Sequence, residues 1–333
     1  MFGRKLSCKI AMAAAPLFLL SVFFAHPASP PAWKPQGNVE IVVSTATGSG
    51  SDAQARQIQR ILQDGRLVDA TVSVLNKPGG GGAIGLAYLN QHAGNGHYLM
   101  VTTPTFLTNH VTGRTSQGPA DVTPLAQVGS EYVVFAVRAD SRFKTGADLA
   151  EAFRKDPAAV PVALANALGN HNHIAASMVM KAVGGDVRKL KVVVFNSSGE
   201  VMTSLLGGHV DVIATSAGSV LPHQRTGKAR MIAVSSERRL SGELAEIPTW
   251  TELGVPAVSS NWRSMIGPRG MTAEQVRYWD EVFSKLVQSE EWRRYTESRL
   301  LANTYLDSAA TRKLMDAQHA ELRTVLTELG LVK

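Results

Sequence analysis

The sequence predicts an α/β fold with buried strands. Short β-rich apolar runs alternate with helix-like runs along most of the chain, several of these runs end in polar loops, and the last part turns to long amphipathic helices. In order, "VEIVV" leads into a helix from Ser51, "TVSVL" passes through "NKPGGGGAIG" into a helix from about Ala83, and "HYLMVTT" ends in a polar turn, "PTFLTN". "EYVVFAV", "VPVALA", "KVVVF", "VDVIAT" and "ARMIAVSS" follow as strands, separated by helices such as Ile174–Val183, Gly199–Leu206 and Ala217–Gly227. After "RSMIGP" come the helices Thr272–Gln288 and Ser308–Leu329. Trp279 and Trp292 recur there with apolar helical neighbours and read as core.

The first residues place Arg4, Lys5 and Lys9 before an apolar stretch from Ile10 to Ala25, followed by small residues and prolines. This is a secretory signal layout, with 1–28 as the signal and cleavage between Ala25 and Ala28; the apolar stretch is shorter than the roughly 20 residues a membrane span needs. The single cysteine, Cys8, leaves with the signal, so disulfides, thiol nucleophiles and cysteine metal sites are excluded. Removing three basic residues and no acid takes the formal charge from +7 to +4. A mildly basic chain without Lys/Arg runs or an aromatic-basic stripe suits small anions, not nucleic acid.

"STATGSGSD", from Ser44 to Asp52, is the first candidate site, and it admits two readings. Gly48, Gly50 and Ala53 match a dinucleotide fingerprint, with Asp69 placed as a ribose acid. Yet the same helix start, with Thr45, Thr47, Ser49 and Ser51 around it, offers unpaired N–H groups to any anion, carboxylates included. Asp52 and Arg56 are spaced for an i,i+4 ion pair, and Asp52 also closes the loop, where it could orient waters or a ligand donor group.

Four consecutive glycines, Gly79–Gly82, imply positive φ or close backbone approach, and they do not form a Walker loop because Lys77 precedes them. Gly81, Gly82 and Ala83 are candidate ligand residues here. Further candidates sit at other strand ends: Thr103 and Thr105, then Asn170 and His173 in "NALGNHNH", Ser197 and Ser198 in "FNSSGE", and Thr215 in "ATSAGS". His171 and His173, two apart on a helix start, do not share a face for a metal; a histidine there lending a hydrogen bond to a cleft is the better reading. Ser49 lacks the G-x-S-x-G frame and assignable partners, so no catalytic residue is expected.

Taken together, "NKPGGGGAIG", "SLLGGHVDV", "VLPHQRTGKARMIAVSSERR", "IPTWTELG" and "NWRSMIGPRGMT" resemble the exported receptors of tripartite tricarboxylate transporters, the Bug family, from about Pro35 to the C-terminus. The resemblance implies a type II-like periplasmic binding protein, or Venus-flytrap, fold. Its two α/β domains, 32–129 plus 255–333 and 130–254, would be joined by a two-crossing hinge. It implies a periplasmic, non-enzymatic monomer without cofactor that holds a small carboxylate on main-chain donors of the first two loops and hands it to membrane permease subunits. The chain departs from the family pattern: the usual aromatic and prolines of the first loop are absent, a common Tyr is Phe195 and a common Asp is Thr215. Loss of that Asp favours a plain di- or tricarboxylate. A nicotinamide-dependent oxidoreductase and a ligand-binding sensor partner are the competing expectations.

Overall fold

A computed structural model describes residues 1–3, 33–165, 168–195 and 197–332; nearly all of the expected signal lies outside the described residues. Residues Trp33–Lys333 form one compact unit. Its first part contains β1 (Val39–Val43), α1 (Gly50–Asp64), β2 (Val72–Asn76), α2 (Ala83–Asn90), β3 (Tyr98–Thr102) and α3 (Thr105–Val111). A long strand, β4 (Val122–Arg138), follows and leads to α4 (Gly146–Lys155), β5 (Val162–Ala165), α5 (His171–Ala182), β6 (Val192–Phe195) and α6 (Ser198–Leu206). The chain continues through β7 (Val212–Ser216), α7 (Ala217–Arg225), β8 (Ala229–Val234) and β9 (Ser260–Pro268). It ends in α8 (Ala273–Gln288), α9 (Glu290–Ser298) and α10 (Ser308–Glu328).

The strands join in the order β2-β1-β3-β9-β4-β7-β5-β6, with β8 also on β4. Within β2-β1-β3 and within β7-β5-β6 the pairing is parallel, whereas β9 and β4 run antiparallel to their neighbours, so the sheet is mixed. β4 belongs to both halves: Val122–Tyr132 pair with β9, and Val133–Val137 pair with β7. The expected boundary at Gly129/Ser130 therefore falls inside an unbroken strand.

Register then places the site. Thr102, the last residue of β3, is level with Ser264 of β9, which is level with Gln127 of β4. From the other side, Ser216 at the end of β7 is level with Val133. The carboxyl edges of both parallel sets thus open onto the same stretch of β4, where an open α/β sheet offers a crevice for a ligand.

Two differences from the sequence reading have simple causes. The expected polar turn "PTFLTN" is the start of helix α3, because Phe106, Leu107 and Val111 bury one side of a helix too short to show a period. The first half of β4 shows no clean alternation: it carries register shifts between Pro124 and Ala126 and between Gln127 and Gly129.

Helix α10 packs Met315, Leu322 and Leu326 into a cluster with Leu107, Trp262 and, from α5, Ile174. Arg312 donates to the carbonyls of Pro119 and Val122, both at 2.6 Å, tying this helix to the start of β4. No helix among the described residues is long and apolar enough to cross a membrane.

Trp279 and Trp292 are fully buried in the core beneath α1, as expected. The Trp279 indole N–H donates to the Gly96 carbonyl at 2.9 Å. Trp279→Phe should therefore lower stability by about 2–4 kcal/mol, combining a partial cavity with a buried carbonyl left without its donor; urea denaturation measures it, and a loss within error of zero would contradict this packing.

Candidate functional site

The first loop is held from within. Gly48 turns the chain at φ 85°, and Ser49 caps α1 by accepting from the Asp52 N–H at 3.2 Å. Gly50 has no positive φ; Gly48 is the residue that needs glycine here. The buried Asp52 carboxylate accepts from the Gly48 N–H at 2.8 Å, Arg56 Nε at 3.1 Å and Asn76 Nδ2 at 3.0 Å. Asn76 Nδ2 also donates to the Thr45 carbonyl, and the hydroxyls of Thr45 and Ser49 lie 2.6 Å apart. Thr47 donates to Asn76 Oδ1.

The i,i+4 pair with Arg56 is formed, and its hydrogen bond, followed by that from Gly48, lowers the Asp52 pKa to about 2. Asp52 and Asn76 thus shape the loop, while the amides of Gly50 and Ser51, in the first turn of α1, have no partner among the described residues.

The second loop meets it. All four glycines from Gly79 to Gly82 adopt positive φ, as expected. Gly81 accepts from Asn109 Nδ2 at 2.6 Å, and α2 starts at Ala83 without a side-chain cap. A Cβ on Gly82 would lie 3.3 Å from Ser44 Oγ, and one on Gly85 would lie 3.0 Å from Ser44 Cβ. Glycine is thus required for α2 to approach the first loop closely.

Between these loops lies a cavity of about 110 Å³, lined among others by Thr45, Ser51, Gly82, Ala83, Thr103 and Thr105. It has room for a carboxyl group. Thr105 and Asn109 also line an adjoining cavity of about 540 Å³, whose opposite wall includes Asn170 and His171; this volume lies in the ordinary range for a ligand cleft. Among the described residues no Asp or Glu lines either cavity.

The remaining predicted residues are placed otherwise. Asn170 caps α5, accepting from the N–H groups of Asn172 and His173. His173 lines neither cavity: it is buried, its Nδ1 accepts from the Gly169 N–H at 2.9 Å, and desolvation pulls its pKa to about 4, leaving a neutral ring that fixes the turn. The histidine that reaches the cleft is His171. Ser197, Ser198 and Thr215 also lie outside both cavities. Ser197 caps α6 by accepting from Glu200 N–H, Ser198 begins that helix, and Thr215 is buried on β7.

Asn76 and Asn109, which do most to fix the loops, were absent from the candidates, as were His171 and Arg114, which line the larger cavity. Only Asn76 had a visible signal, as the strand end next to the glycine run. Asp69, the candidate ribose acid, is exposed and pairs with Lys34 at 3.5 Å; it lines neither cavity. Among the described residues no group of three or more His, Cys, Asp or Glu could hold a metal.

A mixed α/β sheet whose two carboxyl edges share one polar cleft defines the solute-binding class of protein. Residues 54–331 match the model of the tripartite tricarboxylate transporter family receptor, and the chain belongs to that family. It is 26% identical over 284 residues to Protein BugT of Bordetella pertussis, covering 84% of this chain and 85% of that one. A solved TctC solute-binding protein from Polaromonas superposes with a TM-score of 0.78 at 26% identity, covering 89% of this chain and 99% of that one. An R. palustris protein with adipate gives 0.69 at 22% identity, covering 89% and 98%. The fold is that of the periplasmic solute-binding proteins.

The Asp52 clamp has a signed pH dependence. A carboxylate whose pKa falls from 3.8 to about 2 on folding contributes stability in full above pH 4, and that contribution disappears as pH drops through 2. Asp52→Asn should cost about 2 kcal/mol at neutral pH, at about 1.4 kcal/mol per pKa unit. Denaturation at a series of pH values should show the gap to wild type closing between pH 4 and 2; a gap that stays constant would contradict the clamp.

Proposed function

We propose that the protein is an exported, periplasmic receptor that captures a small di- or tricarboxylate and delivers it to the permease subunits of a tripartite transporter. It works as a monomer, without cofactor or chemistry of its own. The signal expected at 1–28 directs export. The segments 32–129 plus 255–333 and 130–254 act as two lobes that close on the ligand, with β4 and β9 as the two crossings.

The observation that carries this reading is the pair of free amides, Gly50 and Ser51, at a helix start beside a small cavity with no acidic wall. A helix N-terminus combines unpaired donors with partial positive charge, which suits a carboxylate without requiring a cation. The nicotinamide reading is disfavoured because the Asp69 carboxylate, the candidate ribose acid, is turned to solvent with Lys34 and lines neither cavity. The neighbour with adipate, at 22% identity, supports the fold alone, so the ligand class is argued from the site.

Thermal-shift and calorimetric screening against di- and tricarboxylates and NAD tests the reading. A ligand at 100 times its dissociation constant raises stability by about 2.7 kcal/mol. We expect at least one dicarboxylate or tricarboxylate to do so and NAD to have no effect. Stabilisation by NAD and by no carboxylate would overturn the proposal.

A further inference from the structure

We propose that Arg114 is the specificity-determining residue for a second anionic group on the ligand, selecting dicarboxylates over monocarboxylates by pairing with the far carboxylate in the larger cavity. This rests on the reading above, in which the near carboxylate sits at the first two loops.

Among the described residues Arg114 is the one Lys or Arg lining either cavity, and no Asp or Glu lines them. Its guanidinium has no hydrogen bond or ion pair among the described residues. Elsewhere on the surface Arg225, Arg239 and Arg293 are each paired with Glu at 3.0 Å or less.

The backbone at this position, by contrast, is pinned. Gly113 turns at φ 71°, and the N–H groups of Arg114 and Thr115 both donate to the Asn109 carbonyl, at 2.8 and 3.2 Å. Arg114 is thus a free side chain on a fixed stem.

Geometry links it to the carboxyl site. Thr115, the next residue, lines the small cavity, and Thr105 and Asn109 line both. A linear molecule with its first carboxylate at Gly50 and Ser51 extends past Thr105 and Asn109 towards the guanidinium. The planar fork of arginine takes a carboxylate with two parallel N–H···O bonds. The remaining titratable group on this cavity, His171, is held towards its neutral form by desolvation, with Glu131 raising and Arg263 lowering its pKa. Arg114 is then the fixed positive charge of the cleft.

The test is calorimetry on wild type, Arg114→Gln, Arg114→Lys and Gly82→Val with pairs of equal length, succinate against butyrate and adipate against hexanoate. The expected result is that Arg114→Gln weakens the dicarboxylate that binds wild type by about 10- to 100-fold, the range for a hydrogen-bonded charged group, and leaves the matching monocarboxylate within twofold. Arg114→Lys should fall between, and raising salt should weaken dicarboxylate binding to wild type more steeply than to Arg114→Gln. Dicarboxylate binding unchanged in Arg114→Gln but lost in Gly82→Val would overturn this assignment and leave the carboxylate site standing. If wild type binds neither dicarboxylate this assignment falls, and if no di- or tricarboxylate of the screen above binds either, the reading it rests on falls with it. An equal loss for the mono- and dicarboxylate of a pair would also overturn it, because Arg114 would then act on the near group or on the cleft as a whole.

Discussion

Strand β4 runs seventeen residues without a break, and its first half pairs with β9 while its second half pairs with β7 and β8. Because the parallel sets attach to it from opposite ends, their carboxyl edges both reach the stretch Gln127–Val133. Every loop of the site depends on that convergence. At the same point Glu131 pairs with Arg263 of β9 at 2.9 Å and accepts from Asn261, with both charged side chains largely shielded. Removing one partner of such a pair would leave a half-buried charge without compensation, so the two strands are held in register where the cleft opens.

On this frame the proposed anion site is made of main chain. The charges near the first loop are consumed locally: Asp52 takes Arg56, Asn76 and the Gly48 N–H, and so fixes the shape of the loop. What remains for a ligand is neutral, in the form of helix-start amides and hydroxyls. The glycine run has a matching purpose, since only residues without Cβ let α2 approach Ser44. Neutral donors fixed in place lose little entropy on binding, which favours a site that must bind and also release.

Much of this was legible in the sequence. The apolar runs gave β1, β3, β5, β6, β7 and β8 nearly to the residue, and Gly79–Gly82 announced their own backbone geometry. Four things stayed hidden for physical reasons. The length of β4 was masked by bulges, which break the alternation that marks a strand. Helix α3 has two turns, too few for a period. Between His171 and His173, spacing alone could not say which ring faces the cleft; the Gly169 N–H decides, by bonding His173 and drawing it inside. Asn109 and Arg114 were invisible because what matters at each is a contact or cavity formed by residues distant in sequence.

The central claim is that the free backbone amides at the start of α1 hold the ligand carboxylate, and amide chemical shifts read it directly. Titrating isotope-labelled protein with the dicarboxylate that binds best should move the ¹H–¹⁵N signals of Gly50 and Ser51 downfield in proportion to occupancy, as new hydrogen bonds to an anion do. The amides of Val193 and Thr203, which line a separate groove beside β6 and α6, should stay within the background. Saturation of the protein with those two amides unmoved, and the shifts gathered at Val193 and Thr203, would contradict the account.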